Sequence, residues 1–310
     1  MFRKKLFKGI IFDLQLLFSA SDSNTAGQTA ITSKGKFTMF KKTQLINLAV
    51  ASLFAAGTAV SAANVTVFVH GKSSSNHNGT GTTDVNNYWG NSPNTVSGTK
   101  YFVGYDGTSD PRTYGAARAQ TNLTTVMINV CKTNTCKIVC HSAGCYATEY
   151  WLSNLGGTAA AKGYKISGVT ALAAASGGSE LASALNGITF GYAGNAMDKA
   201  LIVSTARSSF NHNNTAGVTI SHVPGYKGMA GASLILPGED DYAVAYHSSC
   251  GYSTVGGLSK CQSSITQSEG VWPFNSNVTY VQYTGHTRAP SVPVAGLYEN
   301  HSELTDDGWR

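Results

Sequence analysis

Apolar positions in this chain recur as short, β-branched runs separated by longer stretches with helical or turn character. Val65-Thr-Val-Phe-Val69 reads as a buried strand ended by His70-Gly71. Lys100–Tyr105 reads as a second strand, Lys137–Cys140 as a third, Ile166–Ala175 as a fourth, Val218–Val223 as a fifth and Val278–Tyr283 as a sixth. Between them, residues 111–130 carry Ala116, Ala117, Ala119, Leu123, Val126 and Met127 behind Pro111, which predicts a helix. Ala143–Leu155 predicts another, stopped by Gly156-Gly157. Strands alternating with helices at this spacing predict an α/β domain: a mainly parallel sheet, right-handed crossovers and helices on both faces. Ligands on such sheets bind beyond the carboxyl ends of the strands. No internal repeat or domain linker interrupts the pattern. Residues 183–217, with mixed apolar and polar positions, are the place where a cap would be inserted.

The amino-terminal region breaks from this pattern. Met39-Phe-Lys-Lys42 is basic, Leu45–Val60 is apolar and small, and Val60-Ser61-Ala62 resembles a signal-peptidase site. Residues 39–62 are therefore expected to be a secretory leader, and residues 1–38 an over-extended start. Residues 63–310 are left as one domain. Neither Leu45–Val60 nor the earlier basic-apolar run Arg3–Leu17, interrupted by Asp13, reaches the ~18 uninterrupted apolar residues of a membrane span. The leader also decides the charge. Residues 1–62 hold eight of the 22 Lys and Arg and two of the 16 Asp and Glu, so the remainder carries 14 of each. The formal +6 belongs to the targeting segment and gives no reason to expect a nucleic-acid partner. The expected location is secreted or periplasmic.

All six cysteines follow residue 62, and an even count in an exported protein predicts disulfides. Proximity suggests Cys131–Cys136, Cys140–Cys145 and Cys250–Cys261. There is no C-x-x-C pair, so neither a metal site nor a dithiol redox site is expected from the cysteines.

The chemistry concentrates at Lys137-Ile-Val-Cys-His-Ser-Ala-Gly-Cys145. An apolar strand runs into Cys140-His-Ser-Ala-Gly144 and a helical pattern follows, which is the layout of a nucleophile elbow with Ser142 at its apex. The match departs from G-x-S-x-G, because Cys140 stands at the first glycine. With Val67-Phe-Val-His-Gly-Lys72 upstream and Pro237-Gly-Glu-Asp-Asp-Tyr-Ala-Val244 downstream, residues 64–301 resemble the α/β-hydrolase family, in particular compact secreted lipases and esterases. That resemblance implies the α/β-hydrolase fold and a nucleophile at Ser142. It also implies an oxyanion hole from the Lys72 and Ala143 backbone N–H groups, and an acid at Asp241, with Asp240 as the alternative. For the base it offers His301, in Leu297-Tyr-Glu-Asn-His-Ser-Glu-Leu304, or His286, at the end of a strand-like run. Both keep the order Ser, Asp, His. His77, His212, His222 and His247 are scattered and read as loop or satisfied polar residues, and His70 and His77 form no metal motif.

The implied activity is hydrolysis of carboxylic esters through an acyl-enzyme, on a small-molecule or lipid ester, with no cofactor, no metal, no nucleic acid and no membrane segment in the mature chain. The same site would serve amide, peptide or thioester cleavage. A non-catalytic secreted binding protein on this scaffold is the reading from another class.

Overall fold

A computed structural model describes residues 64–73, 77–188, 194–270 and 273–306. The expected over-extended start and leader lie outside the described residues. Six strands form one parallel sheet: β1 (Asn64–Val69), β2 (Thr99–Val103), β3 (Thr135–His141), β4 (Ile166–Leu172), β5 (Ile220–Val223) and β8 (His286–Arg288), in the order β2-β1-β3-β4-β5-β8. β1 is flanked in parallel by β2 and β3, with Val67 beside both Tyr101 and Ile138. The chain therefore leaves β1 in one direction for β2 and returns to the other side for β3. That reversal is a topological switch point, where the strand ends open a crevice.

Alternation along the strands sorts side chains into two cores. Val65, Val67 and Val69 of β1, Ile138 and Cys140 of β3, and Val169 and Ala171 of β4 face one side. There they meet helix α1 (Ala119–Asn129) through Leu123, Val126 and Met127, and helix α2 (Ala143–Ser153) through Tyr146, Ala147 and Leu152. Phe68, Phe102, Val139, Leu172 and Val223 face the other side, against Trp89, Val292 and Leu304. Leu304 lies on the short helix α7 (Glu303–Asp306). Both faces of the sheet are covered, as their apolar side chains require.

Three of the expected elements need correction. The helix expected from Pro111 starts at Ala119, because Gly115 at φ 131° and Ala117 at φ 55° break the right-handed path. Residues 110–113 instead wrap around the Asp110 carboxylate, which accepts from the Arg112 N–H and side chain. The fourth strand ends at Leu172, and Ala173 at φ 44° leaves the extended region. The run expected as the sixth strand is not in the main sheet. It forms β7 (Ser276–Val281), antiparallel to β6 (Ser264–Glu269), and the sixth sheet position is taken by three residues, His286–Arg288. The β6–β7 ribbon is half-exposed and alternates, as a strand buried on both faces would not.

The disulfide expectation is met at two of its three pairs. Cys131–Cys136 and Cys140–Cys145 are bonded, with Cα atoms 5.5 and 4.8 Å apart. Cys250 and Cys261 are free, buried thiols in contact with each other. They pack as small apolar groups among Tyr246, Tyr252, Leu258 and Tyr280, and burial raises the Cys250 thiol well above its ordinary pKa. Proximity was read correctly; the bond is not formed.

Within residues 183–217, three short helices interrupt the strands: α3 (Glu180–Ile188, which begins just before this stretch), α4 (Ala196–Ala200) and α5 (Val203–Ser208). Helix α6 (Tyr246–Ser249) follows β5.

Candidate functional site

Ser142 joins β3 to α2 with φ 54° and ψ −126°, a conformation that L-residues other than glycine rarely adopt. Two backbone hydrogen bonds brace it: Ser142 N–H donates to the Leu172 carbonyl at 3.0 Å, and Cys145 N–H donates to the Ser142 carbonyl at 3.0 Å. The Cys140–Cys145 bond closes the same turn. Glycine is required on both sides of it. A Cβ on Gly144 would lie 2.2 Å from the His70 carbonyl oxygen, because α2 crosses directly over the end of β1. A Cβ on Gly71 would lie 2.7 Å from Ser142 Cβ and 2.8 Å from the Tyr88 hydroxyl. The His70-Gly71 turn and Ser142 therefore sit against one another at the carboxyl ends of β1 and β3.

Asp241 is fully buried. Its Oδ1 accepts from Ala243 N–H at 3.0 Å and Val244 N–H at 2.8 Å, and its Oδ2 faces His301 Nδ1 at 3.0 Å. His301 N–H also donates to the Asp241 carbonyl at 3.0 Å. Asp240 points elsewhere: it accepts from Tyr242 N–H, and burial raises its pKa. The structure thus brings Asp241 and His301 together. It places the other candidate, His286, in β8 with Nε2 on the His212 carbonyl at 3.1 Å and Nδ1 on His222 at 2.8 Å.

His141 links Ser142 to the His301 loop. Its Nε2 lies 2.8 Å from the His301 carbonyl oxygen, which can only accept, so Nε2 carries the proton. Its Nδ1 is then a bare acceptor, and the Tyr88 hydroxyl at 2.6 Å donates to it. The Tyr88 oxygen in turn accepts from Gly71 N–H at 2.9 Å. Burial holds His141 neutral, well below its ordinary pKa, as this directional chain requires. Neither Tyr88 nor the positioning contact of His141 is legible from sequence. Tyr88 lies in a Ser/Asn/Gly-rich loop, and its only signal is an aromatic Tyr-Trp pair there.

His70 is fixed in the same way. Nδ1–H donates to the Gly71 carbonyl at 2.8 Å, and Nε2 accepts from Tyr105 N–H at 3.1 Å. Burial, followed by the neighbouring His77, lowers its pKa to about 3. Of the two expected oxyanion donors, Ala143 N–H is the first amide of α2, an end whose amides have no intrahelical acceptor. Lys72 follows the Gly71 turn, and its ammonium pairs with Asp198 on α4. Asp198 also caps that helix reciprocally with Asn195. The inserted short helices therefore reach the site at the Lys72–Asp198 pair.

No protein-family model and no curated protein matches the chain. Solved structures with a similar backbone course include a lipase from Bacillus licheniformis in mature form. It is 17% identical at a TM-score of 0.42, over 61% of this chain and 80% of that one. A phospholipase from Legionella pneumophila is 16% identical at 0.46, over 72% of this chain and half of its own length. A metagenomic carboxyl esterase is 16% identical at 0.42, over 59% of each chain. Among the described residues no helix is long and apolar enough to cross a membrane. The parallel order β2-β1-β3-β4-β5-β8, helices on both faces and the tight β3–α2 turn beside the end of β1 are those of the α/β-hydrolase fold.

Proposed function

We propose that the protein is an exported serine hydrolase acting on uncharged carboxylic esters. The observation that carries this reading is the backbone of Ser142, held at φ 54° where β3 turns into α2. A serine in that conformation costs ~1–3 kcal/mol and persists where the surroundings over-determine it, typically at a site where it is used. Ser142 is the nucleophile. His301 is the base, with Asp241 fixing Nδ1 as the protonated nitrogen so that Nε2 can take the serine proton. The attacked carbonyl becomes an oxyanion held by the Lys72 and Ala143 N–H groups, each worth about 3 kcal/mol by analogy with other oxyanion donors. The tetrahedral intermediate expels the alcohol, which receives the proton from His301. Water then repeats the sequence on the acyl-enzyme. The Cys131–Cys136 and Cys140–Cys145 bonds support export to an oxidising compartment.

The test is labelling with a fluorescent fluorophosphonate, alongside turnover of a p-nitrophenyl ester and the matching anilide. Ser142→Ala should abolish labelling and lower ester turnover by at least ~10⁴-fold. His301→Ala should go dark, and His286→Ala should keep its label wherever it folds. Labelling that survives Ser142→Ala, or a folded wild type that never labels, would sink the reading. Anilide cleavage as fast as ester cleavage would move the substrate class to amides.

A further inference from the structure

A second polar cluster lies inside the domain and is not used by the mechanism above. Glu149 sits on α2, seven residues beyond Ser142 and therefore ~10 Å further along the helix axis. It is only 3% exposed. His222 on β5 and His286 on β8 are buried too, and one donor atom from each of the three residues lies within 4.8 Å of the others. Ser176 donates to Glu149 Oε1 at 2.5 Å, and His212 Nδ1 lies 3.3 Å from Oε2. The groups acting on the buried carboxylate are histidines, His212, His286 and His222. His212 Nε2 also faces the Ala206 carbonyl at 3.0 Å, so both of its nitrogens face acceptors and it serves Glu149 as a hydrogen-bond donor, which leaves the two other histidines of the cluster to be accounted for.

The hydrogen-bond directions sharpen the problem. His286 Nε2 faces the His212 carbonyl at 3.1 Å, so Nε2 carries the proton and Nδ1 is a bare lone pair. That lone pair points at His222 Nε2, 2.8 Å away. If His222 Nε2 carried its proton and donated it, His222 Nδ1 would be a buried lone pair, and that atom has no donor. With Nδ1 protonated instead, that proton has no acceptor, and two bare lone pairs face each other across 2.8 Å. A cation between the rings takes up both facing lone pairs. Gly251, at φ 66°, leaves room beside both rings: a Cβ there would lie 2.5 Å from His222 Nε2 and 2.7 Å from His286 Nδ1.

We propose that Glu149, His222 and His286 hold a divalent transition-metal ion of the zinc class, which clamps α2 to β5 and β8. Two imidazoles and one carboxylate are a common donor set for such an ion. Bonds of about 2.0–2.1 Å place tetrahedral donors ~3.3 Å apart, so the histidine pair opens slightly and the carboxylate swings in. His212 against Glu149, and the His212 carbonyl on His286, are the outer hydrogen bonds that orient ligands of this kind. A site this deep is loaded as the chain folds. It stands apart from the hydrolase reading, because no step there passes through these residues. It also revises the expectation from the sequence, where the scattered histidines formed no motif: the ligands come from three separate elements.

The decisive experiment is elemental analysis of the purified full chain, followed by refolding with Zn²⁺ or Co²⁺ after denaturation in a chelator. The expected result is about one bound metal per chain and the visible absorption of four-coordinate Co²⁺. Apparent Tm should rise by roughly 5–10 °C with metal at a hundred times Kd. Glu149→Gln should lose the metal, while Ser142→Ala should keep it with an unchanged Co²⁺ spectrum. If Glu149→Gln does not fold, the wild-type cobalt spectrum alone decides. A folded wild type that retains no metal, gives no such Co²⁺ band and shows no Zn²⁺-dependent Tm would overturn the proposal in favour of a proton shared between His222 and His286.

Discussion

Replacing Tyr88 by Phe removes one oxygen and two hydrogen bonds, those from Gly71 N–H at 2.9 Å and to His141 Nδ1 at 2.6 Å. Neither partner has a simple alternative. Gly71 is buried in its turn. His141 cannot switch tautomer to compensate, because its Nε2 proton is committed to the His301 carbonyl. Each buried group left unsatisfied costs about 1–3 kcal/mol, so the expected loss for the two is roughly 2–6 kcal/mol. For a domain of this size, that lowers Tm by roughly 5–20 °C. Urea unfolding monitored by tryptophan fluorescence, with an unchanged m-value, measures it directly. Tyr114→Phe is the control, since that ring is 63% exposed, and should stay within ~0.5 kcal/mol of wild type. Activity adds a second readout. Gly71 precedes the proposed oxyanion donor Lys72, so an unanchored turn should lower kcat for ester hydrolysis more than it raises KM. If Tyr88→Phe unfolds within ~0.5 kcal/mol of wild type, the directional chain through His141 is not a structural element and the reasoning fails.

Acid should destabilise the fold through His70. Its folded pKa of about 3 lies below the ordinary 6.5, so the unfolded chain binds the extra proton between those values and stability falls as pH drops. From pH 6.5 to pH 5 this histidine alone accounts for about 2 kcal/mol, and His70→Gln should flatten the urea-midpoint slope across that range. Gly144→Ala forces a Cβ to within 2.4 Å of the Val69 and His70 carbonyl oxygens, so soluble folded protein should be lost or destabilised by about 3 kcal/mol or more; normal circular dichroism and Tm would contradict this. Opening the six-residue Cys140–Cys145 loop by a double change to alanine should cost about 2 kcal/mol in denaturant titration, from chain entropy alone. Asp241→Asn should leave the fold intact yet reduce ester turnover by about 10⁴-fold, whereas Asp240→Asn should stay within a few-fold.

The parallel core was legible because its strands announce themselves: Val65–Val69 and Ile138–Cys140 are short β-branched or apolar runs bounded by turn residues. The turn at Ser142 was legible for a related reason, since a strand running into a helix leaves a local signature. What failed was non-local or fine-grained. The three residues of β8 are too few to carry a periodic signal, and the stronger apolar run just before them pairs outside the main sheet. The start of α1 depended on a left-handed alanine at 117, which no propensity argument would place. Asp240 and Asp241, like His286 and His301, are near equals in sequence. They are told apart only by which carboxylate faces which ring, a matter of tertiary packing. Tyr88, His141 and the Glu149–His222–His286 cluster were out of reach for the same reason: each relation spans elements distant along the chain.

Such distances have a kinetic consequence. Ser92 donates from the early 85–95 segment to the Thr305 carbonyl, 213 residues away, and Asn91 reaches the Asp306 carboxylate across 215. This mooring holds α7 and, next to it, the His301 loop. Contacts of such span are entropically expensive to form before the intervening sheet exists, so they belong to the late side of the folding barrier. Ser142 and its turn can be in place while His301 is still searching for Asp241. On the proposed function, the folding chain would therefore pass through a stage with a formed sheet and an inert serine, and reactivity would switch on only with the final docking step. Stopped-flow refolding with a fluorophosphonate in the quench would place labelling after the recovery of sheet circular dichroism.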